Sequence, residues 1–225
     1  HTVSAVQAEF LQKYGSLLGG ELAVLALGKL GSREMTFSSD IDLVFVYEAP
    51  DESAVSDGGK GLSPSVYYNR LAQRLLNVIT AMTKSGRLYE VDTRLRPSGS
   101  QGLMAVSTDA LAQYFEESAW TFEYMALTKA RPVTGRAETQ KKLAAFIEGQ
   151  IAKPRDPARL RKHVIDMRER IDKEFGTANP WDIKYVRGGL LDVDFIAQYL
   201  LLLYAPGLPA PYPGKAPEIL AWLQS

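Results

Sequence analysis

The sequence predicts an α/β or α+β domain over residues 1–135, followed by a helical domain over residues 136–225. Three observations carry this prediction. An apolar run, Leu22–Leu27, and an apolar, β-branched run, Asp40–Tyr47, are separated by a glycine-serine turn. A third run, Leu88–Leu95, sets Leu88, Glu90, Asp92 and Arg94 against Tyr89, Val91, Thr93 and Leu95, the alternation of a strand. Beyond residue 135 only helical periods recur.

In chain order, Val6–Leu18 is an amphipathic helix closed by Gly19-Gly20. Leu22–Leu27 is a central strand, and a turn over Gly28–Ser32 leads to the strand Asp40–Tyr47. Asp51–Ser63, rich in Gly, Ser and Asp, is a loop. Ser63-Pro64 starts a helix with a cap and a proline at its first position, and Ser85-Gly86 ends it. The strand Leu88–Leu95 and a turn over Pro97–Gly102 follow. Thr108 or Asp109 caps a helix through Glu117, and Trp120–Lys129 forms another. Thr139–Ile151, Pro157–Phe175 (capped by Asp156) and Leu190–Tyr204 are the later helices, with a proline-rich connector over Pro206–Pro217.

Composition narrows the chemistry. The 225 residues suffice for one large or two small domains. There is no cysteine, which excludes disulfides, thiolate metal sites and cysteine nucleophiles. The two histidines, His1 and His163, are too far apart in sequence to suggest a histidine-rich metal site or a Ser-His-Asp triad. Twenty-six basic residues balance 26 acidic ones, so the basic footprint of a nucleic-acid binder is missing from the totals. No nucleic-acid or membrane partner is expected. The longest apolar run, Tyr199–Ala205, is too short to span a bilayer, no signal peptide is visible, and a cytoplasmic chain is expected. The chain opens on His1 without methionine and stops at Ser225 within a helical pattern, as expected of a piece of a longer polypeptide.

The candidate chemistry centres on Asp40 and Asp42. They flank a single isoleucine at the start of an apolar strand, and strand alternation points both to one side. Paired carboxylates suit hard divalent cations. Asp92, on the charged face of a second strand, is the natural third member. Three converging carboxylates suit two cations that stabilise the attacking and leaving oxygens of a phosphoryl or nucleotidyl transfer. Gly31 and Ser32 form a candidate phosphate turn through backbone N–H groups and a hydroxyl. Ser39 is either a further donor or a cap. Arg94 and Arg96 share the face of Asp92 if the strand continues, and would contact phosphate or pair with Glu90 or a neighbouring carboxylate. Lys129 and Arg131 would reach a triphosphate or complement a helix C-terminus. Arg87 is expected at the surface. Asp192 and Asp194 open the helix at Leu190, where acids complement the helix dipole, and their spacing puts them on different faces. Tyr67, Tyr68, Trp120 and Trp181 are expected in the core or an interface.

Several stretches together resemble one family. These are Gly28-Lys29-Leu30-Gly31-Ser32-Arg33-Glu34 with Ser38-Ser39-Asp40-Ile41-Asp42-Leu43; Tyr89-Glu90-Val91-Asp92-Thr93-Arg94-Leu95-Arg96-Pro97-Ser98-Gly99; Trp120 with Glu123; Lys129-Ala130-Arg131; Asp182-Ile183-Lys184; and Gly188-Gly189 through Asp192-Val193-Asp194-Phe195. They resemble the bacterial glutamine synthetase adenylyltransferases of the polymerase-β-like nucleotidyltransferase superfamily. The resemblance implies a small mixed sheet with flanking helices, then a helical domain that this chain truncates. It implies Asp40, Asp42 and Asp92 as metal-binding acids, two Mg2+ ions, ATP as substrate, and Gly31, Ser32 and Ser39 at the phosphate side. Ser32 stands where the family more often has a second glycine.

Proteins of that family carry two similar halves. One transfers AMP from ATP to a tyrosine of glutamine synthetase, and the other removes it by phosphorolysis, under control of PII signalling proteins and glutamine. The stretches around Asp92, Arg96-Pro97-Ser98-Gly99 and Asp182-Ile183-Lys184 look more like the adenylylating half. The implied partners are glutamine synthetase and, through the full-length enzyme, a PII protein. Phosphorolytic removal of AMP and a non-catalytic nucleotide-binding module are the alternative readings.

Overall fold

The computed structural model describes residues 2–37, 39–84, 86 and 89–224. Ser85, Arg87 and Leu88, expected at a helix end, at the surface and at a strand start, lie outside the described residues, as does Ser38 of the Ser38-Ser39-Asp40 stretch. The chain forms two compact units. One comprises residues 1–118 and 131–144, the other residues 119–130 and 145–225. The division therefore does not follow a single cut at residue 135.

In the first unit, helix α1 (Thr2–Tyr14) buries Val6 and Phe10, one turn apart. It stops earlier than the pattern to Leu18 suggested, because Gly15 takes φ +74° and a Cβ there would strike the Asp57 carboxylate at 2.2 Å. Strand β1 (Glu21–Ala26) is buried at every residue after Glu21. A single helical turn, α2 (Gly28–Gly31), links it to strand β2 (Ile41–Glu48). Helix α3 (Pro64–Ile79) begins after Ser63 with Pro64 in its first turn, as expected. It ends at Ile79, short of the expected stop at Ser85-Gly86; the Thr80 hydroxyl there donates to the Leu76 carbonyl at 2.8 Å.

The following strand is much shorter than the alternation predicted: β3 pairs only at Val91–Asp92. The Asp92 carboxylate accepts the backbone N–H of Arg94 at 2.7 Å, and this two-residue-on bond bends the chain out of extended geometry. Turns then carry it through Ser98, at φ +61°, to strand β4 (Ala105–Ser107), which capping Ser107 joins to helix α4 (Thr108–Glu117).

The sheet is mixed, in the order β3-β2-β1 and then β5 (Arg131–Pro132). The β1–β2 and β1–β5 pairs are antiparallel; β3 and β4 both pair parallel with β2. Leu22 and Val24 of β1, with Ile41, Leu43, Phe45 and Tyr47 of β2, pack with Phe10 of α1 and with Tyr67, Tyr68, Leu71 and Leu75 of α3 in one core cluster. Tyr67 and Tyr68 are core residues, as expected, and Tyr68 stacks on Tyr47 with ring centres 4.9 Å apart. Burial pushes the Tyr68 hydroxyl well above its ordinary pKa.

The second unit is helical. Helix α5 (Thr121–Leu127) is opened by Trp120, whose backbone N–H donates to Glu123 Oε2 at 2.8 Å. Helix α6 (Ala137–Ile151) leaves the first unit and ends in the second. Helices α7 (Pro157–Phe175), α8 (Leu190–Tyr204) and α9 (Ala216–Trp222) complete it. Trp120 and Trp181 are exposed rather than core, since Trp120 caps through its backbone while its ring stays outside. Residues Leu190–Gly207 are long and apolar enough to cross a membrane by length and composition. Their Asp192 and Asp194 carboxylates are nevertheless bound to Arg168 and Lys129, charges that are costly to place in hydrocarbon.

Arg168 ties the second unit together. It binds Asp192, donates to Asp172 Oδ1 at 3.1 Å and to the Tyr185 carbonyl at 3.1 Å, and Asp192 also accepts the Gly188 N–H at 2.6 Å. Burial opposes ionisation of Asp192, but the Arg168 guanidinium and the Gly188 N–H outweigh it and hold the pKa below the ordinary value. A depressed carboxylate pKa contributes stability that is present above the unfolded-state value of about 4 and is lost as pH falls through the native value. The helical unit is therefore expected to hold this contribution above about pH 4 and to lose it progressively as pH falls from there through the lower native pKa of Asp192. Carboxyl-detected NMR should place the Asp192 midpoint below that of an ordinary aspartate; a midpoint at or above the ordinary value would contradict the assignment of Arg168 as its partner.

Candidate active site

The β1–β2 ladder fixes the site. Its six register pairs run from Glu21↔Glu48 to Ala26↔Leu43, and the Leu27 N–H extends it by donating to the Asp42 carbonyl at 3.0 Å. The chain then turns sharply at Gly28, at φ +50°. A Cβ on Gly28 would lie 2.2 Å from Asp42 Oδ2, so only a glycine lets the turn close against that carboxylate. Ile41 and Leu43 point into the core with α1 and α3, so the pleat directs Asp42 to the opposite face of the sheet.

The parallel pairing of β2 with β3 supplies the second acid. The Ile41 N–H donates to the Glu90 carbonyl at 2.9 Å, and Asp42 stands in register with Asp92. Parallel strands in register present such side chains on the same face. Asp40 is exposed and lies two residues before Asp42, just ahead of β2. The sequence pattern thus named two residues, Asp42 and Asp92, that the sheet makes register neighbours, while Asp40 stays outside the strand.

Both arginines after Asp92 are in the turn, because β3 ends there. Arg94 grips Asp92, with Nε 3.1 Å from Oδ1 and 2.8 Å from Oδ2, and Nη2 2.5 Å from Oδ2. This pairing holds the Asp92 carboxyl below its ordinary pKa, against the opposing effect of burial. Arg96 is buried and donates to the carbonyls of Thr93 at 2.8 Å, Ser100 at 3.3 Å and Gly102 at 3.3 Å. It pins the turn and does not share the face of Asp92 along a continuing strand.

The small residues upstream are engaged within their own turns. The Gly31 N–H donates to the Leu27 carbonyl at 2.9 Å and the Ser32 N–H to the Gly28 carbonyl at 3.1 Å. The Ser32 hydroxyl lies 2.5 Å from Glu34 Oε2 and 3.1 Å from the Gly28 carbonyl oxygen. A phosphate would thus be received at Ser32 only by exchange with Glu34. Ser39 is buried, its hydroxyl accepting the Thr36 N–H at 3.0 Å, which closes the turn leading to Asp40. Arg131 donates to the Gly31 carbonyl at 3.1 Å and the Leu30 carbonyl at 3.2 Å, bracing the back of α2. Burial, and secondly the nearby Arg33, lower its pKa from the ordinary value. Lys129 belongs to the second unit, where it is buried with Nζ 2.9 Å from Asp194 Oδ1, not a surface complement to a helix end.

The donor set suits a hard cation, since Asp40, Asp42 and Asp92 offer only oxygen. The residues fit such an ion on one further ground: a positive charge, the Arg94 guanidinium, already sits on both oxygens of Asp92. Among the described residues, no three His, Cys, Asp or Glu side chains are gathered closely enough to hold a metal ion as they stand. Sequence reasoning missed Gly28 as the residue that makes room for Asp42, and Glu34 as the partner of Ser32. A glycine directly after an apolar strand was the available signal for the first.

Comparison with known proteins gives a consistent picture. The profile of the family described as glutamate-ammonia ligase adenylyltransferase matches residues 3–146. A bifunctional glutamine synthetase adenylyltransferase/adenylyl-removing enzyme of Bradyrhizobium diazoefficiens is 46% identical over 210 residues, 93% of this chain and 21% of its own length. Proteins of the same description from Mesorhizobium japonicum and Brucella suis biovar 1 are 42% and 44% identical, over 98% and 97% of this chain and 22% of their own lengths. The chain spans about a fifth of the length of these relatives.

Gly28→Ala is expected to cost about 1–3 kcal/mol, from the left-handed backbone and the clash with Asp42. Gly59→Ala, where a Cβ meets nothing within 4 Å, should change stability by no more than about 0.5 kcal/mol. Urea unfolding of both variants checks this; equal stability of the two would remove the constraint at Gly28.

Proposed function

Since the chain belongs to the glutamate-ammonia ligase adenylyltransferase family, we propose that it is the nucleotidyl-transfer unit that moves AMP from ATP to a tyrosine of glutamine synthetase. Its mixed sheet with flanking helices and following helical region is that of a polymerase-β-like nucleotidyltransferase domain. The single observation that carries the reading is the in-register pair Asp42 and Asp92 beside the Gly28 turn.

In this reading Asp42 and Asp92, with Asp40, hold Mg2+. When bound, the ions supply positive charge to the phosphate oxygens as a tyrosine oxygen attacks and pyrophosphate leaves. The chain's own groups do the rest. The tyrosine hydroxyl must lose its proton, and Asp92 Oδ2 is the acceptor within this site. While Arg94 grips it, both Asp92 oxygens are occupied, so proton transfer requires that grip to loosen. Arg94, being exposed, can then offer its fork of N–H donors to a phosphate. Arg96 keeps the turn in place. Arg131 keeps α2, with Gly31 and Ser32, against the end of β1, and Ser39 sets the approach of Asp40. Lys129 is held by Asp194 within the helical unit and serves that unit's packing in this reading.

The adenylylating direction is supported by the stretches Tyr89-Glu90-Val91-Asp92, Arg96-Pro97-Ser98-Gly99 and Asp182-Ile183-Lys184. The relatives are bifunctional adenylyltransferase/adenylyl-removing enzymes, which supports phosphorolytic removal of AMP as the second reading. We place the chain's work in the cytoplasm, with glutamine synthetase as direct partner and PII proteins acting through the longer enzyme.

Intact-mass measurement of glutamine synthetase after incubation with this chain, ATP and Mg2+ decides the direction. The expected result is one AMP added per subunit, reduced at least about 100-fold in rate by Asp42→Asn. Loss of AMP from modified synthetase with phosphate, and no addition with ATP, would reverse the direction. Full activity of Asp42→Asn would overturn the site.

A further inference from the structure

Two arginines follow Asp92, and their surroundings differ. Arg96 is 8% exposed, with donors committed to three backbone carbonyls. The Arg94 side chain is 79% exposed and its guanidinium lies on both oxygens of Asp92, whose own side chain is 25% exposed. One arginine is built into the turn; the other sits on its solvent side.

We infer that Arg94 is an exchangeable counter-ion: it holds Asp92 while no divalent cation is bound, and moves to the nucleotide's phosphates when a cation takes its place. This rests on the reading that Asp42 and Asp92 bind the metal. Four features of the geometry support the exchange. Asp42 and Asp92 are register neighbours, and two carboxylates so placed repel unless a cation lies between or upon them. The guanidinium meets that need, but it does so with the same two oxygens a metal ion would require. Release is eased on the arginine side, because the Arg94 side chain is 79% exposed and returns to water when it leaves Asp92. Release also leaves Asp92 oriented, since the backbone N–H of Arg94 donates to Oδ1 at 2.7 Å whatever the side chain does.

The exchange has a consequence for order of binding. A free cation must displace Arg94 without compensation. A cation arriving with a triphosphate brings anionic oxygens to which the displaced guanidinium can turn, forming paired N–H to oxygen bonds. The site thereby favours the metal–nucleotide complex over either component, and Arg94 couples the two.

Isothermal titration of Mn2+ into the full chain without nucleotide, and of Mg2+-ATP in a second series, tests this. Wild type, Arg94→Gln, Asp92→Asn and Asp42→Asn are compared, with near-ultraviolet circular dichroism as the check of folding. Arg94→Gln is expected to bind Mn2+ about 3- to 5-fold more tightly than wild type, the scale of an exposed ion pair. It should bind Mg2+-ATP about 10-fold less tightly, from the lost charge-assisted contact. Asp92→Asn and Asp42→Asn should each weaken Mn2+ binding. Equal or weaker Mn2+ binding by Arg94→Gln, with both aspartate variants impaired, would overturn the counter-ion role and leave the metal reading standing. Tighter Mn2+ binding with unchanged Mg2+-ATP binding would overturn the transfer to phosphate. Wild-type Mn2+ binding by both aspartate variants would overturn the metal reading itself.

Discussion

The pairing of β2 with β1 on one edge and β3 on the other is the constraint on which the first unit depends. Six residues of β1 lie against β2, and the ladder closes where Leu27 donates to the Asp42 carbonyl. That closure forces the turn at Gly28 onto the Asp42 carboxylate. On the other edge, two residues of parallel pairing bring Asp92 into register with it. A slip of one residue in either pairing would send Asp42 into the apolar core with Phe45 and Leu75, where an unpaired carboxylate is expensive. Both faces of β2 are apolar beyond Asp42, with Val44 and Val46 buried on one and Leu43, Phe45 and Tyr47 on the other, so the acids sit where the strand begins and the Gly28 turn leaves room for a carboxylate.

Polar groups near the acids divide into supports and participants. Arg131 on the carbonyls of α2, Ser39 on the Thr36 N–H and Arg96 on the carbonyls of the 93–102 turn are supports. Each satisfies backbone groups that a short turn leaves without partners in a ladder. Arg94 and Ser32 differ in that their side chains meet carboxylates, Asp92 and Glu34, which can be exchanged for another anion. In the proposed reaction such exchangeable bonds keep the charges of the site balanced as nucleotide enters and product leaves.

Much of this was legible in the sequence, and the exceptions have identifiable physical causes. Asp42 and Asp92 were legible as strand residues because each sits within a run of strand-like alternation, and the structure puts the two in register. The β1 and β2 strands and helices α3, α7 and α8 followed from periodicity and caps. The length of β3 was not legible, because Asp92 ends it with a local bond to Arg94 that competes with the ladder. Arg96 looked like a strand-face donor for the same reason. Lys129 and Asp194 are 65 residues apart, and only the packing of helices in the second unit makes them partners. The strands β4 and β5 are three and two residues long, too short for periodicity to reveal. The family resemblance, by contrast, was carried by residues dispersed over both units, and the comparisons bear it out.

The central claim is that the sheet register builds an oxygen-donor pair from Asp42 and Asp92. The most direct measurement is paramagnetic broadening of the chain's amide NMR signals by substoichiometric Mn2+. The account predicts that the amides of Gly28, Asp42 and Asp92 broaden first, ahead of those around Asp192 and Asp194. Broadening that begins at Asp192 and Asp194, or spreads evenly over surface carboxylates, would contradict it.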